Sequence, residues 1–328
     1  MKKFSIPYTN QVDSKTYLKF IEPYKDYLES VYIGIPEIVN HNSQFCADEN
    51  TSSHDFLDDT KNGIVPYKRI VVCNAMFYKQ HDSELAKHFE NVVYPLIEKY
   101  KIDGFVVSSL FLAERLHKDF PKLELHTSCN SVVYNIRQME YWRDVAGIEV
   151  FNPPREFCRK PKVLKEMADA GFKLKVLINE ACLFDCPHFM NHCAHYANGT
   201  NRGYDCLDYK DDLIFKSNLF LPEWMPIIDD YVFCYKIAGR NLSLNTLKSF
   251  FDSYILRKKY SYIDEIANYS RYNIIQKMID KGIRIKPTDI PLKVISCECK
   301  NCSTCTMCSD AMKRVYNRYN ISEKDMKL

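Results

Sequence analysis

The stretch "RIVVCNAMFYKQHDSELAKHFENVVYPLIEKYKIDGFVVSS" (69–109) decides the fold. It opens on a short β-branched run, RIVVCN (69–74), and closes on another, GFVVSS (104–109). Between them, SELAKHFENVVYPLIEKY (83–100) places its apolar residues three or four apart, the period of a helix with one buried face. Strand, helix, strand in that order is a parallel βα unit.

The unit repeats in both directions. Strand-like runs occur at FSIPYTN (4–10), VYIGIP (31–36), LELHTS (123–128), IEVFN (148–152), KLKVLIN (173–179) and YVFCYKI (231–237), and KPKVLKEMADAG (160–171) reads as a further amphipathic helix. Eight strands with helices between them predict an α/β fold, a (β/α)8 TIM-like barrel. The rival doubly wound sheet explains the same alternation, but neither GxGxxG nor a P-loop is present to anchor it. The barrel is expected over 1–243, with a cysteine-rich insertion at 180–230 after the seventh strand. Helices and a cysteine-rich tail are expected over 244–328.

The 328 residues suffice for one large barrel, and a formal charge of +3 gives no global field that would mark a nucleic-acid or membrane binder, with RNA reached through a local basic groove left open. The N-terminus lacks the apolar run of a signal peptide and no stretch approaches the length of a membrane span. The expectation is a cytoplasmic protein with no membrane insertion, in which fourteen cysteines stay reduced.

Two cysteine groups then call for chemistry. Cys182, Cys186, Cys193 and Cys206 are separated by three, six and twelve residues. Four thiolates on one loop suit a 4Fe-4S cluster. Zinc is the alternative, because His188, His192 and His195 lie among them, although the spacing matches no zinc-finger template. The tail "CECKNCSTCTMC" (297–308) suggests a second metal site at Cys299, Cys302, Cys305 and Cys308. Cys46, Cys73, Cys129, Cys158 and Cys234 are scattered and read as small buried hydrophobes. HExxH and GxSxG are absent, so zincin and serine-hydrolase readings have no motif.

In a barrel the working residues lie at the C-terminal ends of strands. Arg155 and Arg240 are there as bidentate carboxylate binders, Glu156 and Glu180 as proton-transfer groups, and Lys236 as a second positive contact. Arg155 and Glu156 pairing with each other, and Lys236 pointing outward, are the plainer readings. His126, Ser128 and Asn130 end strand five, where His126 is equally a core histidine.

Several of these residues carry a family likeness. The chain resembles the collagenase-like peptidase U32 family. VYIGIP stands at its VYLGG-like second strand, FNPPRE (151–156) matches the end of its sixth strand, YKIAGR (235–240) resembles its KIEGR motif and NRGYDC (201–206) its NRGxC cysteine. The resemblance matches Cys186 and Cys193 to the family's pair and Cys206 to its third cysteine. Its fourth ligand has no counterpart, so Cys182 is the substitute, with Cys234 or a tail cysteine in reserve. The KIEGR glutamate is Ala238.

What the resemblance implies is an iron-sulfur dependent, oxygen-independent hydroxylase or related redox enzyme. Its relatives act on tRNA, rRNA or ubiquinone, with a prephenate-like oxygen donor and often a partner protein. RNA or a small molecule is the expected substrate class. The alternatives are a U32-type peptidase, or a non-catalytic cluster-binding subunit of a heteromeric complex.

Overall fold

The computed structural model describes residues 2–41, 52–63, 65–75, 78, 81–197, 211–269, 274–297 and 304–322. Eight parallel strands close into a barrel in sequence order: β1 (Lys3–Pro7), β2 (Leu28–Ile33), β3 (Lys68–Cys73), β4 (Gly104–Val107), β5 (Glu124–Thr127), β6 (Val150–Phe151), β7 (Lys173–Leu177) and β8 (Cys234–Lys236). Closure comes from β8 pairing with β1, Ser5 opposite Lys236. All eight expected strands are present. β2 starts three residues earlier than expected, at Leu28 rather than Val31.

The helices pack their apolar stripes outside. The helix expected over 83–100 runs as Asp82–His88, a wider turn Phe89–Val93 and Tyr94–Tyr100, burying Leu85, Phe89, Val93 and Ile97. Pro161–Asp169 fills the expected 160–171 segment and starts on proline, where the missing N–H costs nothing. Beyond β8 the helices Leu244–Tyr254, Ile274–Asp280 and Met307–Arg318 follow. Val294, Ile295, Met312, Val315 and Tyr316 join the same apolar cluster as the barrel's outer wall. Arg159, 2 % exposed, fastens this arrangement. Its guanidinium donates to Ser217 O (2.6 Å), Phe215 O (3.4 Å) and Val294 O (3.0 Å), tying three distant segments together.

The lumen is split between apolar and charged halves. Tyr32, Ile70, Val72 and Val106 form their own apolar cluster on the β2–β4 side. Opposite, Lys175 on β7 donates to Glu29 (2.7 Å) and Ser30 (3.3 Å) on β2 and lies 3.3 Å from His126 Nδ1 on β5. Bonds between non-adjacent strands can only cross the inside of the barrel. His126 Nε2 is 2.6 Å from Glu124, which also pairs with Lys68. His126 is therefore the core histidine of the two readings offered by its sequence. Burial, then the Lys175 ammonium, push it down to about 4, so it is neutral. Burial works against the Glu29 charge, but the charge and hydrogen bond of Lys175, with a hydrogen bond from Ser30, outweigh it and keep Glu29 ionised. Glu29, Glu124 and His126 bring donor atoms within 4.8 Å of one another, but two ammonium groups already neutralise their carboxylates. This floor is an ion-pair plug, set below the functional end of the barrel.

Among the described residues no helix is long and apolar enough to cross a membrane.

Candidate functional site

Because all strands run the same way, the segments leaving β5, β6, β7 and β8 open on one face. Each is locked locally. After β5, the turn Cys129–Ser131 is capped by Ser128: Asn130 N donates to Ser128 Oγ (3.1 Å), Ser128 N to Ser131 Oγ (3.0 Å) and Ser131 Oγ to Val107 O (2.9 Å). After β6, the tight turn Arg155–Arg159 presents Arg155. After β7, Ala181 N donates to Asn268 O (3.0 Å), and Asn218 N donates to Cys182 O (2.7 Å). Asn179 ties β7 to β8 by bonding both Ala238 O (3.0 Å) and Ala238 N (2.7 Å). Glu180 and Cys182 are thus held from both sides.

Arg155 is the centre. Nη1 lies 2.7 Å from Glu180 Oε2 and donates to Cys182 Sγ at 3.2 Å. Nη2 donates to Asn130 Oδ1 (3.3 Å) and reaches Cys193 Sγ (4.0 Å), and the guanidinium lies over the Phe189 ring at 4.4 Å. Cys193 comes from the helix Phe189–Ala197. Burial works against the Arg155 charge, but Glu180 and the surrounding sulfurs outweigh it and hold the proton more tightly than usual. Burial in turn pushes the Cys182 thiol up to about 12 and Cys193 to about 11, with Arg155 pulling both back. Both are thiols at neutral pH.

Lys236, at the end of β8, points inward, so the outward reading is replaced. It is 8 % exposed and its Nζ lies 4.5 Å from the centre of the Tyr32 ring. Burial lowers it to about 8, while Cys129 and Glu180 act to raise it. Arg240 is buried within reach of its field. Tyr32 donates to Ile237 O (2.8 Å), and burial raises its phenol.

The structure thus joins Arg155, Glu180, Cys182, Cys193, Lys236 and Arg240 at one barrel mouth. Glu156 stands apart. Arg155 takes Glu180 as its carboxylate rather than its neighbour, since consecutive residues of a tight turn point about 120° apart. Burial raises Glu156, which faces Lys160 and Asp185. Cys186 is only partly buried. Cys234, a reserve ligand, lies in the floor, 3.9 Å from Glu29. In the tail, Cys305 is exposed, while Cys308 is buried, its thiol raised by burial to about 11 with Cys297 close by. Cys206, Cys299, Cys302 and the His195 side chain lie outside the described residues.

One residue of the mouth, Cys129, escaped sequence reading as a site residue, whereas Asn130 was expected at the end of strand five. Cys129 and Asn130 face Arg155 and Cys193, and Asn130 Nδ2 is anchored to Asn74 O (3.2 Å). Only the position of Cys129 just past a strand end could have signalled it.

Comparison with known proteins bears on the family and the fold. A family model for "Peptidase family U32" matches residues 19–184, just over half of the chain. A protein described as an uncharacterized protease of Methanocaldococcus jannaschii is 22% identical over 307 residues, covering 87% of each chain. The structure of the U32 peptidase Mk0906 superposes with a TM-score of 0.52 at 11% identity, covering 74% of this chain and 95% of that one, a likeness of fold. The matched segment runs from the first helix through the strand ends that carry Arg155 and Glu180, and by it the chain belongs to peptidase family U32.

Proposed function

We propose that this chain is an iron-sulfur dependent redox enzyme, an oxygen-independent hydroxylase acting on RNA or a small molecule. The observation that carries the reading is the donor set around Arg155: a cation surrounded by the thiols of Cys182 and Cys193 and the carboxylate of Glu180. Arg155 Nε is buried without a hydrogen-bond partner among the described residues, and Glu180 Oε2 lacks an aligned one. Buried soft donors with incompletely bonded neighbours fit a thiolate-held metal group.

Cys182, Cys186, Cys193 and Cys206 would hold the cluster, which supplies one-electron redox chemistry when bound. The chain's own residues do the rest. Arg240 and Lys236 present two positive groups toward the mouth, matched to the carboxylates of a prephenate-like donor. Glu180 orients Arg155 and is the carboxylate placed to take or return a proton. Phe189 and Tyr32 exclude water beneath and beside these charges, which strengthens them. The tail cysteines are proposed as a second metal site, and the basic segments 255–260 and 312–320 as phosphate contacts for an RNA substrate. The cytoplasm and a partner protein belong to the same proposal.

The test is iron, acid-labile sulfide and zinc per chain in anaerobically purified protein and in Cys186→Ala/Cys193→Ala. About four irons, lost in the variant, is the expected result. Zinc without iron would sink the hydroxylase reading in favour of a peptidase or a structural metal. With iron established, Arg240→Met should keep the cluster and lose hydroxylated product in the presence of prephenate. Product retained would remove Arg240 as the donor's carboxylate site, and no product from the iron-loaded wild type would favour a non-catalytic cluster-binding subunit.

A further inference from the structure

We propose that Cys129 is a thiolate ligand of the metal centre, supplied from the end of β5 beside Cys182 and Cys193 in place of one of the other two cysteines assigned above. The inference rests on the metal-binding reading above and deepens it.

Four observations support Cys129. Its sulfur and that of Cys193 converge on one atom, Asn130 Oδ1, at 3.7 and 3.9 Å. Their separation is therefore bounded by those two lengths together. The same Asn130 Oδ1 accepts from Arg155 Nη2 at 3.3 Å, so Cys129, Cys182 and Cys193 all flank a single guanidinium, from three different elements. Arg155 marks the place where positive charge is stabilised by three soft donors.

Cys129 also differs from the other buried strand and turn thiols. Cys158 donates to Asn218 O (3.2 Å) and Cys234 to Tyr235 O (3.4 Å), as structural thiols do, and Cys73 sits 3.7 Å from the Tyr78 hydroxyl. Among the described residues Cys129 has only the long contact to Asn130 Oδ1 and lies within electrostatic reach of two cations, Arg155 and Lys236.

The wall behind it is apolar. Cys129 packs with Leu177 and Ala238, and Ala238 stands where the KIEGR motif has its glutamate. A carboxylate there would compete for the same cations, whereas a methyl leaves them to the sulfur. Finally, the turn is rigid: Ser128 and Ser131 cap it reciprocally and Val132 leaves it in the left-handed region (φ 55°). A ligand held this way loses little entropy on binding.

The experiment compares wild type, Cys129→Ala, Cys129→Ser and the control Cys158→Ala, all purified anaerobically and reconstituted with iron and sulfide. Iron per chain, visible absorption and the electron paramagnetic resonance spectrum of the dithionite-reduced protein are read, with circular dichroism to verify folding. Iron in Cys129→Ala should fall at least fourfold while Cys158→Ala keeps it. Cys129→Ser should retain a cluster with a shifted spectrum, because an oxygen ligand replaces sulfur. If wild type and both Cys129 variants hold the same iron with the same spectrum, the inference is overturned and the cluster reading stands. If wild type binds zinc alone, the same variants are titrated with zinc, and unchanged stoichiometry and affinity overturn the inference. If wild type binds neither metal, both readings fall.

Discussion

Replacing Lys175 by Met tests the ion-pair plug. The ammonium is 1 % exposed and contacts Glu29 at 2.7 Å, Ser30 at 3.3 Å and His126 at 3.3 Å. Without it, the one ammonium left among the described residues to Glu29, whose side chain is 6 % exposed, is Lys68 at 3.5 Å, a lysine 43 % exposed and screened by solvent. Breaking a buried pair by removing one partner costs about 3–5 kcal/mol. His126 gives part of this back. Lys175 helps hold its proton affinity down, so the variant lets the imidazole protonate and partly replace the lost charge. The expected loss is therefore near the lower end, about 3 kcal/mol. It is read from urea unfolding followed by circular dichroism, with the slope m unchanged. Lys175→Met/Glu29→Leu should recover most of the loss, because an apolar pair carries no uncompensated charge. A single-variant loss below about 1 kcal/mol, or a double variant no better than the single, would refute the plug as a coupled unit.

Three further outcomes follow from other contacts. His126 has a folded affinity for protons lowered from 6.5 to about 4, so the unfolded chain binds a proton that the folded one refuses. Stability should fall as pH drops from 6.5 toward 4, by on the order of 3 kcal/mol; in His126→Gln this part of the pH profile should flatten, and an unchanged slope would contradict it. Glu124, lowered to about 2, adds a separate loss below pH 4.5. In Gly104→Ala the new Cβ would stand 2.1 Å from the Glu124 carbonyl oxygen across the β4–β5 ladder. The strands must part, at roughly 2–4 kcal/mol in urea unfolding, and a neutral substitution would show that the ladder yields freely. Arg159→Met should strip three backbone carbonyls of their donor and release the 292–322 segment to limited proteolysis well before the barrel is cut; cleavage at the wild-type rate would show that apolar packing alone holds the tail.

The strands were legible because their neighbours are local: RIVVCN and GFVVSS each show their apolar run directly, and the helix between them shows its period. β2 was misplaced because it begins Leu28-Glu29-Ser30, residues that look like a loop until Lys175 arrives from 146 positions away. The floor was invisible for the same reason. Lys175, Glu29, Glu124 and Lys68 are ordinary charges in sequence and become a plug only by crossing the lumen. At the mouth, Arg155, Glu180, Lys236 and Arg240 were legible from strand-end position, and Cys182 and Cys193 from the clustering of cysteines. Their pairing was not: nothing in "FNPPRE" tells Arg155 to choose Glu180 over Glu156. Cys129 was passed over because Arg155, Cys193 and Lys236 lie 26, 64 and 107 residues away, so single-position reading gave it only the common role of a small buried residue.

The contact of Arg159 with Val294, across 135 residues, sets an order of events during synthesis. A chain emerges N-terminus first, and its domains fold as they appear. Here β1 waits for β8, and the segment around Ser217 that braces Cys182 waits for the stretch at 292–296. The cysteine loop is made well before the part of the chain that steadies it. The bonds that fasten the mouth can therefore close only once the stretch at 292–296 has left the ribosome.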